Sequence, residues 1–90
     1  MPARARLVIV LTLYSRPGCH LCDDMKAVID RVLGAEAARA GSQPVSLAIV
    51  DISDNEGLER RYGLEIPVLA LDGETIAKYR VSEEELRSAL

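Results

Sequence analysis

The chain has 90 residues and a formal net charge of −3, with hydrophobic residues making up 49% of the sequence. This length suits a single domain, which we predict over residues 1–90. The mildly acidic balance and the absence of Trp and Phe argue against a nucleic-acid partner, because such surfaces are basic and supply rings for base stacking. The core must therefore be built from Leu, Val, Ile and Ala.

The first apolar segment covers residues 7–14 and follows Arg4 and Arg6, a pattern that also occurs in signal peptides. It is too short to span a bilayer, and no small-residue cleavage pattern follows it. Because the segment is β-branched and lacks polar alternation, we predict a strand buried on both faces. We expect a cytoplasmic protein with no membrane contact.

Pro17 and Gly18 interrupt the strand pattern, and a helix is predicted after them. Apolar residues recur there with the spacing of one helix face, and we expect this helix to end near Gly41. The face comprises Met25, Val28, Ile29, Val32 and Leu33. A second strand over residues 45–52 completes a strand–helix–strand unit, so the two strands should be parallel.

The second half of the chain predicts a short helix, two strands and a final helix. Ser53 and Glu56 have the spacing of a capping box, and the short helix should end near Gly63. Strands over residues 67–71 and 75–79 flank a hairpin turn at residues 72–73, where the sequence is Asp-Gly.

The final helix is predicted to begin at a second capping box, formed by Ser82 and Glu85. The order of elements is then β-α-β-α-β-β-α. This order is typical of an α/β domain with a four-stranded mixed sheet and helices on both faces.

Cys19 and Cys22 lie where the first strand gives way to the helix. Residues three apart share a helix face, so a small adjustment reaches disulfide geometry. The Cys19 sulfur should face unpaired backbone N–H groups at the positive end of the helix dipole, which would lower its pKa below the free value of about 8.5. Arg16 adds a fixed positive charge. Cys22 should be more buried, so Cys19 is predicted to attack and Cys22 to resolve the mixed disulfide.

The same spacing has two other interpretations. A C-x-x-C pair also occurs in zinc sites, but two cysteines and the single His20 fall short of four ligands, so we predict no metal site. Cys19 and Cys22 can also be structural core residues at a chance helical spacing.

Pro67 stands at the start of an apolar run. A proline there is most often the first residue of a strand, with the preceding peptide bond in trans. If this strand runs antiparallel beside the first, Pro67 lies next to the cysteine loop. A cis bond there would leave the N–H and C=O groups of Ile66 exposed beside Cys19, where an extended thiol substrate can pair with them.

Residues 14–22, Tyr-Ser-Arg-Pro-Gly-Cys-His-Leu-Cys, resemble the active-site segment of glutaredoxins. Residues 50–52 resemble the second strand of that family, and residues 61–63 with 66–68 resemble its cis-proline region. The similarity extends over about residues 7–90 and is greatest to small bacterial glutaredoxin-like proteins.

The resemblance implies a thioredoxin fold with Cys19 as nucleophile, Cys22 as resolving thiol and Pro67 in cis. It also implies that Arg16 binds the glycine carboxylate of glutathione and that the backbone of Ile66 pairs with the tripeptide. Residues 76–82 depart from the family, because they carry neither its Gly-Gly turn nor its acidic pair.

Tyr14 and His20 complete the candidate substrate contacts. Tyr14 ends the first strand near the cysteines, where its ring can pack against a substrate. His20 lies between the cysteines and is expected to face solvent. It is a candidate general acid for the leaving thiolate.

The leading hypothesis is a monomeric thiol–disulfide oxidoreductase that reduces protein disulfides or glutathione mixed disulfides. It needs no cofactor, has glutathione as a candidate co-substrate, and receives electrons through glutathione or from a thioredoxin reductase. One alternative is an iron–sulfur module in which two chains share a cluster through Cys19 of each and two exogenous thiols. The other is a redox-inactive thioredoxin-fold interaction domain.

Overall fold

The computed structural model describes residues 8–39 and 43–90. Its elements follow the predicted β-α-β-α-β-β-α order, with one extra turn of 3-10 helix at Ile52–Asp54. They are β1 (Ile9–Ser15), α1 (His20–Ala37), β2 (Val45–Asp51), α2 (Glu56–Tyr62), β3 (Val68–Leu71), β4 (Glu74–Lys78) and α3 (Glu83–Ala89). Within the described ranges, no helix is both long enough and apolar enough to cross a membrane.

The four strands form one mixed sheet in the order β2-β1-β3-β4. β1 pairs with β2 in parallel, so the predicted strand–helix–strand unit is confirmed. β3 runs antiparallel to β1, with Tyr14 opposite Val68, and β4 runs antiparallel to β3. The antiparallel neighbour that the interpretation of Pro67 required is therefore present.

The larger core lies between the sheet and the helices α1 and α3. Leu11 and Leu13 of β1 pack there with Leu69 of β3, and each is at most 1% exposed. The predicted apolar face of α1 supplies three buried residues, Met25, Ile29 and Val32, while Val28 and Leu33 are partly buried. Leu86 of α3 also packs in this core and is fully buried.

Among residues 8–39 and 43–90, only α2 and the 3-10 turn before it pack on the opposite face of the sheet, and they cover it in part. Ile52, Tyr62 and Val68 form a small cluster near the carboxyl end of β1. Because α2 has only seven residues, the amino-terminal half of β1 stays open on this side, and Val10 is 40% exposed. The prediction of a strand buried on both faces is therefore wrong for this half of β1.

Some element boundaries also differ from prediction. Ser53 does not cap α2, because it lies inside the 3-10 turn. The cap is Asn55, whose side chain accepts a hydrogen bond from the N–H of Leu58 at 3.0 Å. α1 ends at Ala37, four residues before the predicted end at Gly41, with Ala38 as its C-cap. Gly41 itself and the predicted strand start at Leu7 lie outside the described residues.

Two turns match the sequence closely. Asp72 and Gly73 have φ values of 49° and 90°, as a tight hairpin between β3 and β4 requires. Ser82 and Glu85 form the predicted capping box of α3. β4 ends one residue earlier than predicted, because Tyr79 adopts a φ of 69° and leaves the extended conformation.

Candidate active site

The cysteine loop joins β1 to α1 and fixes where the first sulfur lies. Gly18 has a φ of 78°, a conformation that glycine adopts without the strain a side chain would add. The next residue, Cys19, is extended and occupies the N-cap position of α1. The prediction that Cys19 lies at or just before the first helical turn is confirmed.

Cys19 and Cys22 form a disulfide in this structure, with Cα atoms 5.2 Å apart. The Cys19 Sγ also accepts a hydrogen bond from the N–H of Cys22 at 3.1 Å. This N–H is one of the donors that a helix leaves unpaired in its first turn, where the helix dipole is positive. The same interaction would stabilise a thiolate at Cys19 after reduction.

The two cysteines differ in burial. Cys22 is 4% exposed and packs one turn inside α1, whereas Cys19 is half-buried. This difference confirms that Cys22 is the more buried of the two cysteines. His20 is exposed at the first position of α1. Asp23, in the first turn, is also exposed and adds negative charge near Cys19.

The Ile66–Pro67 peptide bond is cis, as the resemblance implied. Pro67 is buried and comes just before Val68, the residue that lies opposite Tyr14 in the sheet. Its carbonyl accepts a hydrogen bond from the N–H of Tyr79 at 2.8 Å. Within the described residues, no backbone hydrogen bond involves the N–H or C=O of Ile66.

Tyr14 faces α2 and stacks on Tyr62. Their ring centroids are 4.3 Å apart with planes inclined by 22°, and the guanidinium of Arg61 lies 5.1 Å from the Tyr62 ring centroid. Burial raises the pKa of Tyr14, and the nearby Tyr62 hydroxyl raises it further. One face of the Tyr14 ring is thus occupied within the protein, and packing against a substrate stays a prediction.

Arg16 is held by a carboxylate of α2. Its Nη2 donates to Oε1 of Glu59, and each side chain is a little over one-third exposed. Gly63 makes room for this ion pair, because a Cβ there would lie 2.9 Å from the Glu59 Oε1 and 3.4 Å from the Arg16 Nη2. The structure therefore places the predicted carboxylate-binding residue in an internal ion pair.

Comparison with known proteins decides the family. The family model described as "Glutaredoxin-like domain (DUF836)" matches residues 10–90. The chain belongs to this glutaredoxin-like family.

Solved structures agree with this assignment. A protein from X. campestris, target XcR50, is 32% identical over 88% of this chain and 92% of its own, with a TM-score of 0.63. Protein Ne2328 from Nitrosomonas europaea is 25% identical over 100% of this chain and 99% of its own, with a TM-score of 0.73. Thioredoxin-2, described as a component of malaria parasite protein secretion machinery, is 18% identical over 96% of this chain and 84% of its own. Its TM-score of 0.67 shows that the glutaredoxin-like protein shares the thioredoxin fold.

An exposed apolar surface lies beside the cysteine loop of the glutaredoxin-like protein. Leu64 is 94% exposed, and its carbonyl accepts a hydrogen bond from the Tyr79 hydroxyl at 3.1 Å. Tyr79 also lines a groove with Leu21 and Met25 of α1. This surface is formed by the segments that flank the cis proline and the start of α1.

Sequence reasoning missed Glu59 and Gly63. Glu59 is 43 residues from Arg16 in the chain, so only the packing of α2 against the cysteine loop brings them together. The sequence predicts a helix end near Gly63, but it gives no sign that the ion pair depends on the missing side chain of this residue. In the described residues, no group of three or more His, Cys, Asp or Glu side chains is arranged to hold a metal ion.

Proposed function

We propose that the protein is a thiol–disulfide oxidoreductase in which Cys19 is the nucleophile and Cys22 the resolving thiol. The observation that supports this assignment is the position of Cys19 at the N-cap of α1, with its Sγ 3.1 Å from the N–H of Cys22. A sulfur in this position gains most from the backbone donors and the helix dipole when it is negatively charged, so the position favours the thiolate over the thiol. Its half-exposed position also admits a substrate.

The reaction begins with the reduced protein. The Cys19 thiolate attacks one sulfur of a substrate disulfide, forms a mixed disulfide and releases the other sulfur as a thiolate, which takes up a proton. Cys22 then loses its proton and attacks the Cys19 sulfur. The second substrate thiol leaves, and the Cys19–Cys22 disulfide closes. Two electrons pass from the protein to the substrate, and an external dithiol or two thiols must return them.

The surface around Cys19 suits an extended polypeptide. The N–H and C=O groups of Ile66 make no backbone hydrogen bond among the described residues, so an added strand can pair with them. Leu64 and Tyr79 offer apolar contact next to this backbone. Disulfide-containing proteins are therefore the proposed substrate class. His20, exposed next to Cys19, is the proposed proton donor to the leaving thiolate.

The electron donor is either glutathione or a thioredoxin reductase, and we place the reaction in the cytoplasm, in a monomer. A coupled assay separates the two donors: purified protein is supplied with glutathione and its reductase, or with thioredoxin reductase, and NADPH oxidation is followed. The donor that gives the faster turnover is the one the protein uses. If NADPH oxidation stays at the background rate with both donors, the result counts against the oxidoreductase assignment.

The roles of the two cysteines are tested by two matched substitutions. Cys19→Ser should reduce disulfide reduction to the background rate, because no nucleophile remains in the open position. In the Cys22→Ser variant, Cys19 should still attack the substrate disulfide. The mixed disulfide should then accumulate and be visible by mass spectrometry as an adduct on Cys19. Equal residual turnover in the two variants would contradict the assignment.

A further inference from the structure

Arg16 is the arginine or lysine nearest to Cys19 in sequence, three residues before it. Arg16 precedes the cysteines in their loop, but its guanidinium donates to the Glu59 carboxylate, and both side chains are partly withdrawn from solvent. The pair has no net charge. Arg16 consequently offers far less attraction to an approaching carboxylate than a free arginine would.

The fold supports this ion pair at two points. Glu59 belongs to α2, whose last turn is closed by a hydrogen bond from the Gly63 N–H to the Glu59 carbonyl at 2.8 Å. The missing side chain at Gly63 leaves space for the Glu59 carboxylate to reach Arg16. The pair therefore depends on a backbone contact and a steric opening in the same turn.

A second carboxylate lies on the same side of the loop. Asp51 is the last residue of β2 and lies opposite Ser15 in the sheet. Ser15 is the residue directly before Arg16 in the chain. Hydrogen bonds from Ser53 hold the pKa of Asp51 below its usual value, and the Arg16 charge lowers it slightly more. Arg16 thus faces one carboxylate in contact and a second one nearby.

We propose that Glu59 is a positioning residue that neutralises Arg16 and thereby leaves the negative charges of Asp23 and Asp51 unbalanced, so that the active site discriminates against disulfides with carboxylates near their sulfurs. Disulfides whose surroundings are uncharged or cationic would be preferred as substrates. Glutathione disulfide belongs to the disfavoured class, since it is anionic at neutral pH. This inference rests on the proposed oxidoreductase function and specifies its substrate preference.

The test is a single-turnover reaction between the reduced protein and three small disulfides. Hydroxyethyl disulfide is uncharged, cystamine is cationic and 3,3′-dithiodipropionate is anionic. In each case Cys19 and Cys22 supply both electrons, the protein ends as the Cys19–Cys22 disulfide and the probe ends as two thiols. The measured quantity is the ratio of the rate constant for the anionic probe to that for the uncharged probe.

Glu59→Gln should raise this ratio by about fivefold at low ionic strength, because the positive charge of Arg16 is then no longer neutralised by Glu59 and attracts the anionic probe. The ratio of the rate constant for cystamine to that for the uncharged probe should fall, because the same positive charge repels a cation. The increase should shrink at high salt, where the Debye length falls to about 3 Å at 1 M. Glu56→Gln is the matched control: it removes the same charge from an exposed position one turn earlier on α2, and should change the ratio by less than about twofold.

The double variant Arg16→Gln with Glu59→Gln should return the ratio to the wild-type value, because losing one positive and one negative charge leaves the net charge around the loop as it is in wild type. An unchanged ratio in Glu59→Gln, an equal increase in Glu56→Gln, or a double variant far below wild type would overturn the inference. The proposed function fails differently, since wild type would then reduce even hydroxyethyl disulfide no faster than Cys19→Ser does.

Discussion

One face of the sheet packs against α1 and α3, whereas the other is covered near the cysteine loop by the seven-residue helix α2. The first face buries a continuous set of aliphatic side chains. The second has a cluster of three buried residues, a tyrosine stack and the Arg16–Glu59 ion pair. The α1 face should therefore provide most of the stability, and the α2 face should mainly position the cysteine loop and set its charge.

Core truncation should show the largest difference between the two faces. Ile29→Ala removes a fully buried side chain from α1 and should lower the free energy of unfolding by about 2–5 kcal/mol. Leu58→Ala, in the partly buried rim of the α2 cluster, should cost about 1 kcal/mol because less apolar area is lost. Urea denaturation of both variants measures the difference. A loss at Leu58 as large as that at Ile29 would contradict the unequal division of stability.

The two helices should also respond oppositely to a glycine-to-alanine change. A Cβ at Gly63 would lie 2.5 Å from the Glu59 carbonyl oxygen, so Gly63→Ala should destabilise the protein by about 1–3 kcal/mol through overpacking. Gly34 lies within α1 with nothing inside 4 Å of an added Cβ, and Gly34→Ala should instead stabilise by about 0.5–1 kcal/mol. Thermal melts of both variants check the prediction, and the same sign at both positions would refute it.

The smallest expected effect concerns acid sensitivity on the α2 side. Ser53 donates from its Oγ at 2.6 Å and from its N–H at 2.9 Å to Asp51 Oδ1, which holds the pKa of Asp51 below its usual value. A carboxyl with a lowered pKa in the folded state adds stability at neutral pH and loses it as pH falls below the unfolded value of about 3.9.

Asp51→Asn should therefore differ most from wild type near pH 6 and converge with it toward pH 2. Ser53→Ala keeps the carboxyl but removes the hydroxyl donor, and should flatten the acid profile in part. Chemical denaturation at a series of pH values measures both. A constant difference between wild type and Asp51→Asn over this range would show that the Ser53 contacts do not affect acid stability.

Much of the α1 face was predictable from the sequence, and much of the α2 face was not. The spacing of Met25, Ile29 and Val32 identifies a buried helix face directly, because a helical period is a local property. The position of Cys19 at the helix start follows from the same local pattern. These predictions needed no knowledge of distant parts of the chain.

The α2 face depends on contacts between segments far apart in sequence. No local pattern links Arg16 to Glu59, and the stack of Tyr14 on Tyr62 likewise joins β1 to α2 across the fold. The capping box expected at Ser53 was wrong because Asn55, two residues later, takes the cap after a 3-10 turn. The exposed amino-terminal half of β1 was missed because the length of α2, rather than the composition of β1, decides how much of that face is covered.

The central claim is that the sulfur at the N-cap of α1 is a thiolate near neutral pH while its partner is not. The most direct measurement is the rate of alkylation by iodoacetamide against pH for reduced Cys22→Ser, which reports Cys19, and for reduced Cys19→Ser, which reports Cys22. We predict that Cys19 reacts at half its maximal rate at a pH below the midpoint of about 8.5 for a free thiol, and that Cys22 does so at higher pH. A Cys19 midpoint at or above that of Cys22 would contradict the account.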